Sequence, residues 1–289
     1  MYKIDYNVDK TENCIQIDSG NWLSNSSNLL QEYRLSGKKV LTCITEALET
    51  HLIDEKYKGA VNKGDIVLLS RVVSEVSQYK SHELLDDKKY YDVPILQVLG
   101  IFRNKKVSLD TLILLFDKFL YKKEDIYEGT LQVSDKLTTV GRVLKAGSTT
   151  QNVKEGSLVF IKDNMSTRIV LDGEEYFVAE EPSVVCIFSD EHKSLEGAKF
   201  INNVILMTPY VPERLTEHLW TPDMNYEDAD YTDIYKRDRF KINYLDDNLT
   251  GLQKNDIIWV NRNVTVYAFL KGTKYFLING KDHIEFKEL

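Results

Sequence analysis

The stretch VNKGDIVLL fills residues 61–69, and close variants of it recur as VKEGSLVFI at residues 153–161 and LQKNDIIWV at residues 252–260. In each stretch an apolar residue precedes a turn, and an apolar run follows it. Gly64, Gly156 and Asn255 share one slot, and Gly and Asn are the residues that best tolerate a positive φ. The pattern therefore predicts one strand-opening turn that is used three times along the chain.

The sequence around each turn repeats as well. An opening β-rich stretch lies upstream, at residues 13–17, 112–119 and 204–208. A further strand follows it, at residues 39–44, 141–146 and 240–244. After the turn come a hairpin that leads into an aromatic strand, at residues 86–93, 172–179 and 270–278, and a short closing strand, at residues 97–102, 184–188 and 283–286. The unit is about 95 residues long, and its short strands predict β structure throughout.

Short strands with turn signals between them are typical of a small barrel or sandwich. We therefore predict an all-β chain with little helix, built as three small β domains in tandem, each a barrel or a sandwich. The predicted domains are residues 1–105, 106–194 and 195–289, and we refer to them as the first, second and third copies. A long loop at residues 209–239 interrupts the third copy. Residues 45–57 (TEALETHLIDEKY) have the one pattern that favours a few helical turns, within a loop insertion.

Composition narrows the class of protein. Of the 289 residues, 43% are hydrophobic and 28% are charged, which is typical of a folded chain, and the net charge is −8. Without an excess of Lys and Arg, general binding to nucleic acid is not expected. The longest apolar run, residues 112–116, is too short to cross a bilayer, so we expect no membrane partner. Three widely spaced cysteines predict small core residues rather than disulfides or a zinc site.

No pattern of catalytic or metal-binding residues stands out. The five histidines are isolated, and the sequence contains no HExxH motif, no phosphate-binding GxxxxGK[ST] loop and no GxSxG elbow. We therefore predict no enzymatic activity, no cofactor and no bound metal. The basic cluster at residues 236–239 has acidic neighbours, so it is interpreted as a charged strand entry rather than a nucleic-acid patch.

The second copy carries the clearest resemblance to a known family. Its segments GRVLKAG at 141–147, VKEG at 153–156, LVFI at 158–161 and DGEEYFV at 172–178 resemble, in order and spacing, the ten-kilodalton co-chaperonin (GroES) family. The first copy fits through GKKVLTC at 37–43, and the third mainly through residues 240–286. The resemblance implies three GroES-like barrels. It also implies that a docking loop, which in that family binds a chaperonin ring through a small hydrophobic tripeptide, follows the opening strand.

The corresponding segments depart from that tripeptide. In the second copy Gln132 interrupts Leu131 and Val133, and three divergent, covalently joined domains do not tile a sevenfold ring evenly. The segments instead hold residue types that dominate protein interfaces. The predicted protein-contact residues are Trp22, Leu29, Leu131, Val133, Trp220, Tyr226, Tyr231 and Tyr235. The aromatic residues of the 209–239 loop fit equally an arm that reaches a neighbouring subunit and a loop that folds back over its own barrel.

These features favour a non-enzymatic structural protein. A composition rich in Lys, Asn, Asp, Ile and Tyr is typical of A/T-rich genomes, and a triple β module resembles the auxiliary, or decoration, proteins on tailed-phage heads, such as those of crAss-like phages. The expected partners are the major capsid protein and copies of the chain itself, within a virion capsid assembled in the host cytoplasm. The alternative is a virus-encoded co-chaperonin that caps a chaperonin ring to assist capsid protein folding. A carbohydrate- or small-ligand-binding module is a third hypothesis, for which the sequence names no residues.

Overall fold

The chain folds almost entirely as antiparallel β structure. The structure, a computed structural model, describes residues 13–18, 32–35, 38–41, 43–69, 81–83, 89–104, 106–124, 127–128, 131–132, 140–162, 166–210, 237–261, 265–270 and 273–288. Most of the described residues lie in strands, and no helix in the described ranges reaches seven residues. The predicted all-β class is confirmed. No helix of the described part is both long and apolar enough to cross a membrane.

The strands are short and are numbered in chain order. Those of the first copy are β1 (Cys14–Asp18), β2 (Glu32–Leu35), β3 (Lys38–Leu41), β4 (Cys43–Glu46), β5 (Glu49–His51), β6 (Ile66–Leu69), β7 (Ser81–Glu83), β8 (Lys89–Pro94) and β9 (Val98–Phe102). Those of the second copy are β10 (Leu112–Leu114), β11 (Lys118–Lys123), β12 (Tyr127–Glu128), β13 (Leu131–Gln132), β14 (Val140–Ala146), β15 (Leu158–Ile161), β16 (Ser166–Leu171), β17 (Glu174–Glu180) and β18 (Val184–Ile187). Those of the third copy are β19 (Lys199–Phe200), β20 (Val204–Pro209), β21 (Arg237–Leu245), β22 (Ile257–Asn261), β23 (Val266–Leu270), β24 (Thr273–Asn279) and β25 (Ile284–Lys287).

Strand pairing follows the same plan in every copy. The opening strand pairs with the second strand of the hairpin, as β1 with β8, β11 with β17 and β20 with β24. The strand after the turn is called the turn strand, and it pairs with an earlier strand, called the strand before the turn, and with the closing strand. These pairings are β6 with β4 and β9, β15 with β14 and β18, and β22 with β21 and β25. Each turn strand shifts register against its closing strand at one equivalent place, Leu68/Leu69, Phe160/Ile161 and Trp259/Val260. At this place the closing strand has one extra residue, opposite the fourth and fifth residues after the turn. The shared irregularity shows that the copies repeat in structure as well as in sequence.

The three predicted turns are confirmed by their backbone geometry. The φ angles are 85° at Gly64, 83° at Gly156 and 76° at Asn255. The backbone N–H of each donates to the strand before the turn, at 2.7 Å to Ala47, 2.8 Å to Val143 and 2.8 Å to Ile242. The left-handed conformation brings this N–H back onto that strand, which explains why the slot holds Gly or Asn.

Gly156→Ala should lower the free energy of unfolding by about 1 kcal/mol, because Ala is strained in the left-handed region. A Cβ at this position meets nothing within 4 Å, so packing adds no further effect. Gly156→Asn should have a clearly smaller effect, since Asn occupies the slot in the third copy. Urea unfolding of the two variants beside the wild type measures the difference, and equal effects of Ala and Asn would contradict this account.

The opening strand predicted at residues 112–119 is wrong as one element. The structure divides it into β10 and β11, with a turn between them at which Phe116 has a φ of 58°. The third copy repeats this turn between β19 and β20, where Asn202 has a φ of 62°. β10 pairs with the closing strand β9, and β19 pairs with the closing strand β18. A short strand just before each of these opening strands therefore extends the sheet of the preceding copy.

The helical turns expected in residues 45–57 are also largely absent. The segment contains β4, β5 and a single 3₁₀ turn at Glu55–Tyr57. Thr45 pairs with Val67, and Thr50 pairs with Ile15. β-branched residues that find such cross-strand partners favour strands, and this tertiary pairing overrides a weak helical pattern.

The described residues form two compact units. Unit 1 contains the described residues within 1–122, 143–156 and 166–181, and unit 2 contains those within 123–142, 157–165 and 182–289. Unit 2 contains a core within the third copy and a core shared by the second and third copies, whereas both cores of unit 1 include residues of the first and second copies. In unit 1, Ile44, Leu68 and Leu99 of the first copy share a cluster with Ile169 and Val178. The shared core of unit 2 joins residues of β14, β15 and β18 to residues of β20 and β24. The three-domain division by sequence stays a prediction beside these two units.

Candidate protein-interaction site

The eight predicted contact residues lie in three segments that connect each opening strand to the strand before the turn. Of these residues, the structure describes Leu131, whose backbone pairs with Glu128 in the small hairpin formed by β12 and β13. The others lie outside the described residues: Trp22, Leu29, Val133, Trp220, Tyr226, Tyr231 and Tyr235. Their role in contacts with a partner stays a prediction. The described part of the site consists of the roots of the segments, the residues at which each segment begins and ends.

The roots have the same backbone geometry in the second and third copies. The N–H of Glu124 donates to the carbonyl of Val140 at 3.1 Å, and the N–H of Tyr210 donates to the carbonyl of Arg239 at 2.9 Å. Val140 and Arg239 are equivalent, because each pairs with the fourth residue after its turn, Phe160 in one case and Trp259 in the other. Both segments therefore leave and re-enter the sheet at one fixed position.

A network of charges holds the root in the second copy. Arg142 Nε lies 2.6 Å from Glu124 Oε1, and the Lys193 ammonium lies 3.2 Å from the other oxygen of Glu124. The guanidinium of Arg142 also pairs with Glu191. Hydrogen bonds to Glu191 and Glu124 raise the pKa of Arg142 further above its usual range. Because one carboxylate is shared by two cations, the network fixes residue 124, where the segment begins.

Aromatic and charged side chains hold the root in the third copy. The guanidinium carbon of Arg239 lies 5.2 Å from the centroid of the Tyr210 ring and 5.4 Å from that of the Trp259 ring. Glu288 accepts a hydrogen bond from Arg239, and its other oxygen accepts one from Trp259 Nε1 at 2.8 Å. The hydrogen bond from Arg239 is the main reason that the pKa of Glu288 is lowered. Rings that contact a cation in this way restrain its orientation, so the Arg239 cluster, defined as these four residues, holds together the described residues on either side of positions 211–236.

Sequence reasoning identified only part of this cluster. The interpretation of residues 236–239 as a strand entry is confirmed for Arg237, Asp238 and Arg239, which begin β21. The contact between Arg239 and Trp259 was missed. The contact depends on the pairing register of β21 and β22. The repeat indicates that register, because in every copy the residue four positions after the turn pairs with the equivalent residue of the earlier strand.

The carboxylate of Glu288 should make stability depend on pH. A carboxyl group whose pKa is lowered on folding stabilises the fold at pH values above its ordinary pKa of about 4.3. This contribution is lost as the pH falls through the lower pKa of the folded state. The urea midpoint of Glu288→Gln should therefore lie below that of the wild type at pH 7, and the two should converge as the pH falls below about 4. In an Arg239→Met background the same substitution should show little of this pH dependence, and an unchanged dependence would exclude Arg239 as its cause.

The buried core of the described part contains two cysteines, Cys14 and Cys186. Both are small buried residues, as predicted for core cysteines, and burial raises the pKa of the Cys186 thiol. The described residues contain no group of three or more His, Cys, Asp or Glu side chains that could hold a metal ion. β2 and β3 form a hairpin within the first inter-strand segment. In unit 1, β3 of this hairpin lies beside β16.

We compared the sequence with protein-family models and with curated proteins, and neither comparison finds a match.

Proposed function

We propose that the chain is a non-enzymatic structural protein, an auxiliary component of a phage capsid that bridges neighbouring capsid subunits. The observation that supports this most directly is the repeated root geometry. The second and third copies each send out a segment from the same backbone position, closed by the same hydrogen bond. The first copy has a segment at the corresponding place in the chain. One chain would thus carry several contact segments on a scaffold of shared cores.

Several contact segments on one chain favour bridging. Once one segment is bound, the others stay close to their own sites, so weak contacts add up to strong overall binding. The charge network around Glu124 and the Arg239 cluster fix where two of the segments start. Fixed roots reduce the conformational freedom that is lost on binding, and this raises affinity without adding a contact.

The proposed partners are the major capsid protein and further copies of the chain, in a capsid assembled in the host cytoplasm. The third contact segment, residues 211–236, is rich in the aromatic residues that are enriched at protein interfaces. A net charge of −8 is more compatible with protein surfaces than with nucleic acid or anionic lipid as the surface to be bound.

Co-sedimentation with particles tests this proposal. The purified chain should sediment with particles assembled from the major capsid protein of the same source, and chemical crosslinks should join that protein to at least two of the three segments. A variant in which a short Gly-Ser linker joins Tyr210 directly to Arg237 should bind about tenfold or more weakly. A variant in which the sequence of residues 211–236 is scrambled keeps the length and composition of the segment. It therefore distinguishes specific contacts from nonspecific binding. Absence of both sedimentation and crosslinks would refute the proposal.

The alternative is a co-chaperonin that caps a chaperonin ring. One observation favours it: the inter-strand segments follow the opening strands, where the docking loop of the resembling family lies. The first segment weighs against it, because β3 lies beside β16 of the same chain. Inhibition of chaperonin ATPase activity by the purified chain, together with a closed ring in native mass spectrometry, would favour the co-chaperonin over the capsid protein.

A further inference from the structure

The first and second copies each present an apolar face to the copy that follows. We call it the trailing face, and define it by five positions on the strand before the turn, the turn strand and the closing strand. In the first copy these positions are Ile44, Ile66, Leu68, Leu99 and Phe102, and in the second they are Val140, Leu158, Phe160, Val185 and Phe188. All ten side chains are at most 7% exposed. Each set belongs to a cluster that is completed by the opening strand and hairpin of the next copy.

Register identifies the same five positions in the third copy. Arg239 pairs with Trp259, the closing-strand N–H of Glu288 donates to Ile257, and Phe286 pairs with Trp259. The equivalent residues are Arg239, Ile257, Trp259, Glu285 and Glu288. Three of the five positions thus change from apolar to charged. The side chains of Arg239 and Glu288 are each 30% exposed, and Glu285 is exposed.

The charged residues on this face are largely paired with one another. Glu288 accepts hydrogen bonds from both Arg239 and Trp259, and the Tyr210 and Trp259 rings lie against the guanidinium. Covering the face with an apolar module would remove these charges from water without offering new partners, and this is unfavourable. A self-contained polar network is suited to solvent, and repeat proteins place such outer faces on their terminal repeats.

We infer that the trailing face of the third copy is a cap, and that the Arg239 cluster together with Glu285 blocks the stacking of another β module on it. A second copy of the chain is therefore excluded from joining through the contact that holds the copies together internally. This would hold whatever the chain binds through its inter-strand segments.

Restoring the residues of the second copy should remove the cap. The variant Arg239→Val, Glu285→Val and Glu288→Phe places the side chains found at 140, 185 and 188 on the third copy. In analytical ultracentrifugation this variant should self-associate at a concentration at least about tenfold lower than the wild type, since it creates an exposed apolar face. Glu285→Val alone changes one exposed residue, leaves the cluster intact, and should give a smaller shift in the same direction.

A matched control adds the same apolar side chains elsewhere on the third copy. Asp247→Val, Asp282→Val and His283→Phe replace three exposed residues outside the trailing face. Their effect on self-association should be clearly smaller than that of the restored face. Two results would overturn the cap: self-association of the restored variants no stronger than that of the control, or wild-type self-association that Glu285→Lys abolishes.

Discussion

Gly147→Ala is expected to lower the free energy of unfolding by about 3 kcal/mol or more, among the largest effects of a single methyl group in this chain. A Cβ at Gly147 would lie 2.3 Å from the carbonyl oxygen of Phe116 and 2.8 Å from that of Lys118. Both are backbone atoms, so no side-chain rotation relieves the overlap. The Gly147 N–H also donates to Lys118 at 2.8 Å, and movement of the strand would break that bond.

Urea unfolding of Gly147→Ala beside Gly156→Ala separates two causes of destabilisation. At Gly156 a Cβ has open space and the backbone φ is positive, whereas Gly147 is not among the residues with positive φ. The first variant therefore reports a steric overlap and the second a backbone preference. If Gly147→Ala lay within about 1 kcal/mol of the wild type, the close approach of these strands would be wrong.

Phe160→Ala should lower the free energy of unfolding by about 4 kcal/mol, and Trp259→Ala by about half of that or less. The two residues occupy the same position after their turns. Phe160 is fully buried in the shared core of unit 2, and its ring centroid lies 6.3 Å from that of Phe188. Trp259 lies on the trailing face of the third copy, where it contacts Glu288 and Arg239. No further copy in the described part covers this face.

The pair is measured best in one urea series. Phe160→Leu serves as the control, because it keeps most of the apolar volume and should recover much of the stability. Equal losses from Phe160→Ala and Trp259→Ala would mean that the trailing face of the third copy is as buried as that of the second. That outcome would also argue against the cap.

The local features of the fold were predictable because they depend on neighbouring residues. Gly64, Gly156 and Asn255 each satisfy a turn that needs a positive φ, and the apolar run after each turn is a strand by composition alone. The turn at Phe116 was not predictable in this way. Phe116 ends the apolar run of residues 112–116, where a continuous strand is the simplest expectation. The positive φ of this bulky residue is sustained by tertiary contacts, among them the hydrogen bond from the Thr149 N–H to its carbonyl at 3.1 Å.

The position of the candidate site stays a prediction, and the described details of its roots were not predictable. The length and aromatic content of the 209–239 loop fitted an interaction arm and a loop folded over its own barrel equally, and Leu131 is the one predicted contact residue that the structure describes. The Arg239 cluster required the pairing register of β21, β22 and β25, which brings together residues 210, 239, 259 and 288. A composition-based search sees only isolated charges there.

The shared cores have a consequence for how the chain is made. Ile44 and Leu68 belong to the same core as Ile169 and Val178, so the first shared core cannot close until residue 178 has left the ribosome. A nascent chain that stops near residue 105 would expose an apolar trailing face, which is a site for aggregation or chaperone binding. Synthesis from the amino terminus would therefore complete the shared cores in order, each copy shielding the one made before it.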